Sequence, residues 1–295
     1  MISRLNAALF VLMLKAFAAL PYGWSARFGA ALGSLLYLIP SRRRDIVHIN
    51  LSLCFPELDE AARRDLARMH FQHVMRSYVE RGVQWFGDGD KLHGLTELES
   101  EIDLASCTQT PTIFLGFHFV AIEAGCMFYS TEHPVTSLYT RMKNQALEAI
   151  AKTQRERFRA VMVPRNNSAK KVIQSLRDGV PVMLAADMDF GLKDAVFVPF
   201  FGTPACTLTS VSRLAKLSGA RVVPFTTQVL PDYRGYKLRV FSPLPGFPSN
   251  CAETDTRLMN AFLETQIRRM PEQYYWVHRR FRTGPRGSRR STRMR

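Results

Sequence analysis

Apolar positions fall into two unlike regimes along the chain. Near the N-terminus they run almost unbroken: Ala7 to Leu20 is interrupted only by Lys15, and Gly29 to Ile39 forms a second block ahead of Arg42, Arg43 and Arg44. The first block is shorter than the roughly 20 residues that span a bilayer. With Leu5 and some tilt it predicts a helix that anchors the chain or lies in the interface, the arginines falling on the cytoplasmic side; a helical hairpin in a soluble core is the alternative. A cleaved signal peptide fits less well, because Pro21-Tyr22-Gly23-Trp24 offers no small-residue cleavage pattern. From Glu57 to Trp85, Leu66, Met69, His70, His73, Val74, Tyr78 and Val79 recur near helical spacing with charges between them, which predicts one or two amphipathic helices.

Beyond Trp85 the pattern alternates. Short apolar runs predict strands at Thr112 to Phe117, Val135 to Tyr139, Ala160 to Val163, Val182 to Ala186, Arg221 to Thr226 and Tyr236 to Phe241. Helical periodicity lies at Val120 to Tyr129, Asn144 to Arg157, Ser168 to Arg177, Thr207 to Leu217 and Thr254 to Met270. This alternation predicts an α/β fold with a largely parallel central sheet covered by helices. Ligand sites in such sheets gather at the carboxyl ends of strands, where His118, Arg165, Asp187 and Asp189 fall. No linker, repeat or low-complexity block divides the middle of the chain, although Pro243 to Pro248 marks a stiff surface loop.

Charge narrows the partners. Lys plus Arg number 40 against 25 Asp plus Glu, a formal charge of +15, which points to nucleic acid, acidic lipid headgroups or an acidic carrier protein. Arg279, Arg280, Arg282, Arg286, Arg289, Arg290, Arg293 and Arg295 crowd the C-terminal end beside Tyr274, Tyr275 and Trp276. Aromatic rings beside arginines suit a membrane interface or single-stranded nucleic acid. The five cysteines are scattered and show no metal-type spacing, which predicts reduced thiols facing a cytoplasmic environment and neither a disulfide framework nor a zinc site.

The chemistry centres on Gly116-Phe117-His118-Phe119-Val120-Ala121-Ile122-Glu123. Positions five apart do not share a helical face, so His118 and Glu123 meet only if His118 occupies the turn after a strand and Glu123 the first turns of the next helix. Glu123 would then fix the imidazole tautomer and leave the other nitrogen as a general base; a buried histidine capping a core element is the bland alternative. Arg165 sits in a strand-to-helix loop ahead of Ser168, a reasonable N-cap, and could present a fixed charge to an oxyanion or a phosphate. Asp187 and Asp189 follow a strand. Lacking further oxygen ligands nearby, they read as positioning a loop or Arg165 by salt bridge rather than binding metal. Val196 to Gly202 is unusually apolar and would face acyl chains or core.

Taken together, these segments resemble the late acyltransferases of lipid A biosynthesis, within the wider glycerolipid acyltransferase superfamily. The likeness covers nearly the whole chain: the His118 to Glu123 motif, Arg165, the Ala186 to Gly191 turn, Val196 to Gly202, Pro224-Phe225 and Pro271 to Arg282, in that order. It implies an N-terminal membrane anchor or interfacial segment over 1–40 and an α/β acyltransferase domain over 41–284 on the cytoplasmic face of the inner membrane; by composition, 285–295 reads as a basic, disordered tail. It also implies an acyl carrier protein thioester as donor, a hydroxyl on a primary acyl chain of a phosphorylated lipid A precursor as acceptor, and contact with inner-membrane lipids. His118 would be the base, Glu123 its orienting acid and Arg165 the oxyanion donor. Asp187, Asp189, Arg141, Arg279 and Arg280 would bind substrate, though basic residues around Arg141 and Lys143 are displaced from the family pattern. No serine or cysteine nucleophile stands beside His118, so transfer would be direct, with no metal or organic cofactor. Acylation of another glycolipid or glycerolipid is the alternative, and a basic protein binding membrane or nucleic acid without chemistry is the third.

Overall fold

The computed structural model describes residues 2–166 and 168–285. The chain opens with two helices, α1 (Ile2–Ala19) and α2 (Tyr22–Leu38), followed by α3 (Arg42–Cys54), α4 (Glu60–Val79), α5 (Arg81–Phe86) and α6 (Gly89–Gly94). Then come β1 (Thr96–Ser100), β2 (Thr112–Gly116), α7 (Ile122–Glu132), β3 (Val135–Tyr139), α8 (Gln145–Arg155), β4 (Ala160–Pro164), α9 (Ala169–Arg177) and β5 (Val182–Ala185). The chain continues through β6 (Ala195–Phe200), β7 (Thr203–Leu208), α10 (Ser210–Ser218), β8 (Arg221–Val229), β9 (Tyr236–Val240) and α11 (Ala252–Arg269).

Seven strands form one sheet in the order β1-β9-β8-β2-β5-β3-β4, parallel throughout except where β8 meets β9, so the α/β expectation holds. The inner strands are apolar on both faces because helices cover both. Ile113, Leu115, Val182, Leu184 and Val222 pack into a core shared with α2, α4 and α11, while Phe114, Met183, Val223 and Phe225 pack on the opposite side with Phe128 and Tyr129 of α7. Strand β1 was not anticipated: four of its five residues are exposed, so it carries no apolar run to read. Nor were β6 and β7, an antiparallel hairpin that closes on Phe201 and Gly202 with φ of 49° and 71°. That geometry is natural for glycine and costly for Phe201. Ring contacts of Phe201 with Phe55 at 5.1 Å and Phe200 at 5.0 Å help to hold it there. The hairpin carries the apolar Val196 to Gly202 segment into the core through Val198 and Phe200, and it pushes the start of the following helix from Thr207 to Ser210.

Helix α2 lies directly on α4: a Cβ at Gly33 would come 2.4 Å from the carbonyl oxygen of Phe71. A buried polar network reinforces this layer, with Arg76 Nε donating to Glu80 at 2.8 Å and the Tyr236 hydroxyl donating to the other Glu80 oxygen at 2.7 Å. Among the described residues no helix is long and apolar enough to cross a membrane. Helices α1 and α2 nevertheless expose Leu9, Leu12, Trp24, Phe28, Leu35 and Leu38. The basic residues from Arg286 onward lie outside the described residues.

Candidate active site

The register of two neighbouring strands assembles the centre of the site. β2 and β5 are parallel, with Gly116 opposite Ala185. Two residues further along each chain stand His118 and Asp187, side by side at the carboxyl edge of the sheet. The Asp187 carboxylate takes a bond from His118 Nδ1 at 2.6 Å through one oxygen and from the His118 backbone N–H at 3.0 Å through the other. Asp187 is buried while the imidazole is 30% exposed. Burial alone would raise the Asp187 pKa, but the adjacent His118 ring and its hydrogen bonds outweigh burial and hold it at about 2. An ionised Asp187 places the hydrogen on Nδ1 and leaves Nε2 with its lone pair.

The C-terminal segment straps this turn in place. Val120 N–H donates to the Gln273 carbonyl at 2.8 Å, Tyr275 N–H donates to the His118 carbonyl at 2.9 Å, and Phe119 bridges Tyr274 in antiparallel fashion. Asn50 of α3 holds the strap by donating to the carbonyls of Trp276 and His278, both at 2.7 Å.

Glu123 does not pair with His118. It occupies the first turn of α7, as the spacing requires, yet its oxygens receive Arg155 Nε and Nη2 at 2.7 Å each, and Trp85 Nε1 at 2.8 Å. Burial disfavours the Glu123 charge, but the Arg155 guanidinium overrides it and holds the pKa at about 2. The local geometry was anticipated and the partner was not. The register that places Asp187 beside His118 depends on β2 and β5 being neighbours, whereas 69 residues separate the pair in the chain.

The two aspartates divide their work. Asp189 is buried and accepts from Thr283 N–H at 2.6 Å, Thr283 Oγ1 at 2.8 Å and Gly191 N–H at 2.9 Å, so it ties down the C-terminal segment. Its own N–H donates to His278 Nε2 at 3.2 Å, and burial holds the His278 pKa at about 4. Neither aspartate bridges to Arg165, contrary to the salt-bridge reading. The Arg165 guanidinium instead lies 3.5 Å from the Phe190 ring centroid, and the Ser168 hydroxyl donates to the Arg165 carbonyl at 2.9 Å rather than capping α9. Among the described residues no group of His, Cys, Asp and Glu side chains is arranged to hold a metal ion.

Arg280 cannot meet a headgroup: it is 1% exposed and donates to the Cys206 carbonyl at 2.8 Å and Thr207 Oγ1 at 2.6 Å. Arg141 is exposed, 4.0 Å from Glu148, and Arg279 stands among Arg42, Arg43 and Arg282; neither lines the cavity described next.

His118, Glu123 and Arg165 open on one cavity of about 1210 Å³. Arg81, Arg155, Lys193 and Arg213 add charge to its wall, whereas Ile122, Met127, Val135, Met162, Met183 and Phe225 line an apolar part between α7 and the sheet. Gly116 lets the Phe225 ring pack directly on the strand end ahead of the histidine, since a Cβ there would meet that ring at 2.8 Å. Trp85, Arg81 and Arg155 were missed in the sequence because helices place them here and no local motif marks them. Among the described residues the His118 ring bonds only to Asp187.

The α/β fold, with a histidine backed by a buried carboxylate at adjoining strand ends and a cavity charged in one part and apolar in another, suits an acyltransferase. The chain belongs to the family described as bacterial lipid A biosynthesis acyltransferase, whose profile it matches over residues 2–283. It is 35% identical over 271 residues to the lipid A biosynthesis lauroyltransferase of Escherichia coli (strain K12), an alignment covering 91% of this chain and 88% of that one. The palmitoleoyltransferase of the same organism is 31% identical over 271 residues, with 91% and 88% covered. Its myristoyltransferase is 30% identical over 268 residues, with 87% and 78% covered.

Proposed function

We propose that the protein transfers a fatty acyl chain from an acyl carrier protein thioester to a hydroxyl on a primary acyl chain of a phosphorylated lipid A precursor. The pairing of His118 with Asp187 at the cavity mouth carries this reading. A free alcohol is a poor nucleophile at neutral pH, so a base must take its proton during attack. His118 Nε2 takes the proton as the alcohol oxygen bonds to the thioester carbonyl carbon, and Asp187 stabilises the imidazolium that forms. When the tetrahedral adduct collapses, the carbon–sulfur bond breaks and the imidazolium returns the proton to the leaving thiolate. Arg165, fixed against Phe190 on the cavity wall, offers its guanidinium to the developing oxyanion; a preorganised donor there contributes about 3 kcal/mol in comparable sites. Glu123 takes a positioning role in this scheme, because its charge is committed to Arg155.

The apolar wall formed by Met127, Val135, Met162, Met183 and Phe225 suits the donor acyl chain. The exposed apolar faces of α1 and α2 suit an interfacial seat on the inner membrane, with Arg42 and Arg43 at headgroup level. Mass spectrometry after incubating the full chain with acyl carrier protein thioester and precursor tests the reaction: addition of one acyl mass to the phosphorylated disaccharide lipid supports it. Acylation that ignores the phosphorylated disaccharide, and proceeds equally on a glycerolipid, contradicts the assigned acceptor.

A further inference from the structure

We propose that Arg81 forms a phosphate subsite on the cavity wall, beside the histidine but separate from the residues that act on the thioester. This rests on the reading of the cavity as an acyl-transfer site.

The Arg81 guanidinium is fixed, and it shares the charge of Glu123 with Arg155 without a hydrogen bond to that carboxylate. It lies 4.7 Å from the Tyr78 ring centroid and 5.7 Å from that of Trp85, an aromatic clamp that sets its direction. Its Nε is buried and has no hydrogen-bond partner, and among the described residues no carboxylate pairs with it. The neighbouring guanidiniums differ. Arg155 is engaged by both oxygens of Glu123, and Arg76 by Glu80. Glu123 also takes Trp85 Nε1, so its lone pairs are directed elsewhere, and two guanidiniums face one carboxylate on this wall. Nε is shut away from solvent, so the outer guanidinium nitrogens, which make no hydrogen bond among the described residues, are the donors that an anion in the cavity would meet.

The surroundings fit a phosphate ester. Tyr275 shares the wall with Arg81, and its hydroxyl lies 3.3 Å from that of Tyr78; one of these two O–H groups donates to the other, which leaves one hydrogen for a further acceptor. The Tyr275 backbone also bonds to His118, so an anion held here stands at a set place relative to the base. The next residue, Gly82, packs so closely on α1 that a Cβ would come 2.5 Å from the Leu14 carbonyl oxygen. The subsite therefore lies between the histidine turn and the helix layer with the exposed apolar face. Both substrates proposed above carry phosphate esters, the acceptor on its headgroup and the carrier protein on its prosthetic arm.

Kinetics of the full chain distinguish the two sources. Arg81→Met is compared with Arg81→Lys and the native protein, using phosphorylated and dephosphorylated acceptor, and carrier-protein thioester against a pantetheine thioester lacking phosphate. Loss of a charge-assisted contact raises KM by about tenfold to a hundredfold for the substrate whose phosphate binds, with kcat changed far less and with partial rescue in Arg81→Lys. Removing that phosphate makes the Met variant and the native protein equal. If the Met variant retains its full disadvantage both with the dephosphorylated acceptor and with the pantetheine thioester, the subsite is wrong. Equilibrium titration with inorganic phosphate supplies a readout independent of turnover: weaker binding in Arg81→Met than in the native chain supports the subsite even if no acyl transfer is detected, and equal binding overturns it.

Discussion

At the scale of single residues, the site depends on which carboxylate faces His118. Asp187 does so through both oxygens, and Glu123 faces Arg155 and Trp85. The two acids therefore fail differently. Replacing Glu123 with Gln leaves the Arg155 guanidinium without its counter-charge in a partly buried place, which is expected to lower unfolding free energy by about 3 kcal/mol in chemical denaturation. The pH dependence has a definite sign. The Glu123 pKa falls from 4.5 when unfolded to about 2 when folded, so its contribution is complete above 4.5 and disappears as pH drops through 2. The thermal midpoint of the native protein should fall across that window, and that of Glu123→Gln should fall less. Little of this was legible beforehand. The histidine, its turn and the first-turn placement of Glu123 follow from an apolar run broken by Gly116, but partnership between side chains is set by strand order.

Among the elements, the six core strands and most helices could be read from periodicity because their apolar faces contact something. The elements that escaped have local reasons. β1 shows its side chains to solvent, and the β6–β7 hairpin turns on a phenylalanine in left-handed geometry where a glycine-rich signal would be sought. The α2–α4 contact supplies an element-scale prediction. At Gly33 the neighbours are backbone atoms of Phe71 and Gln72 that cannot give way. Gly33→Ala should therefore cost about 1–3 kcal/mol by overpacking, read as a lower denaturation midpoint. The outer faces of the same helices carry a separate prediction. Exchanging exposed Trp24 and Phe28 for serine should leave the fold intact and reduce co-sedimentation with anionic vesicles, whereas unchanged sedimentation would remove these helices from the proposed membrane seat.

For the whole molecule, the sheet brings together segments far apart in the chain. The C-terminal strap binds the His118 turn, α3 binds the strap, Arg280 locks it to β7, and Asp189 beyond β5 holds it through Thr283. Arg280, which the family resemblance gave to substrate, is instead a brace, and Asp189 positions a loop, the alternative its place after a strand offered. Ordered family segments can reveal a shared function without revealing which residues touch the ligand. The excess of basic residues remains consistent with an acidic lipid surface and an anionic carrier.

The central claim is that His118, oriented by Asp187, is the base of acyl transfer. It is tested most directly by the single-turnover rate of Asp187→Asn in a purified, folded preparation with saturating thioester and acceptor. The account predicts a fall on the order of 10³- to 10⁴-fold, comparable with the loss when the orienting acid of a Ser-His-Asp triad is replaced by its amide, and a similar or larger fall for His118→Ala. An Asp187→Asn rate close to that of the native protein would contradict it.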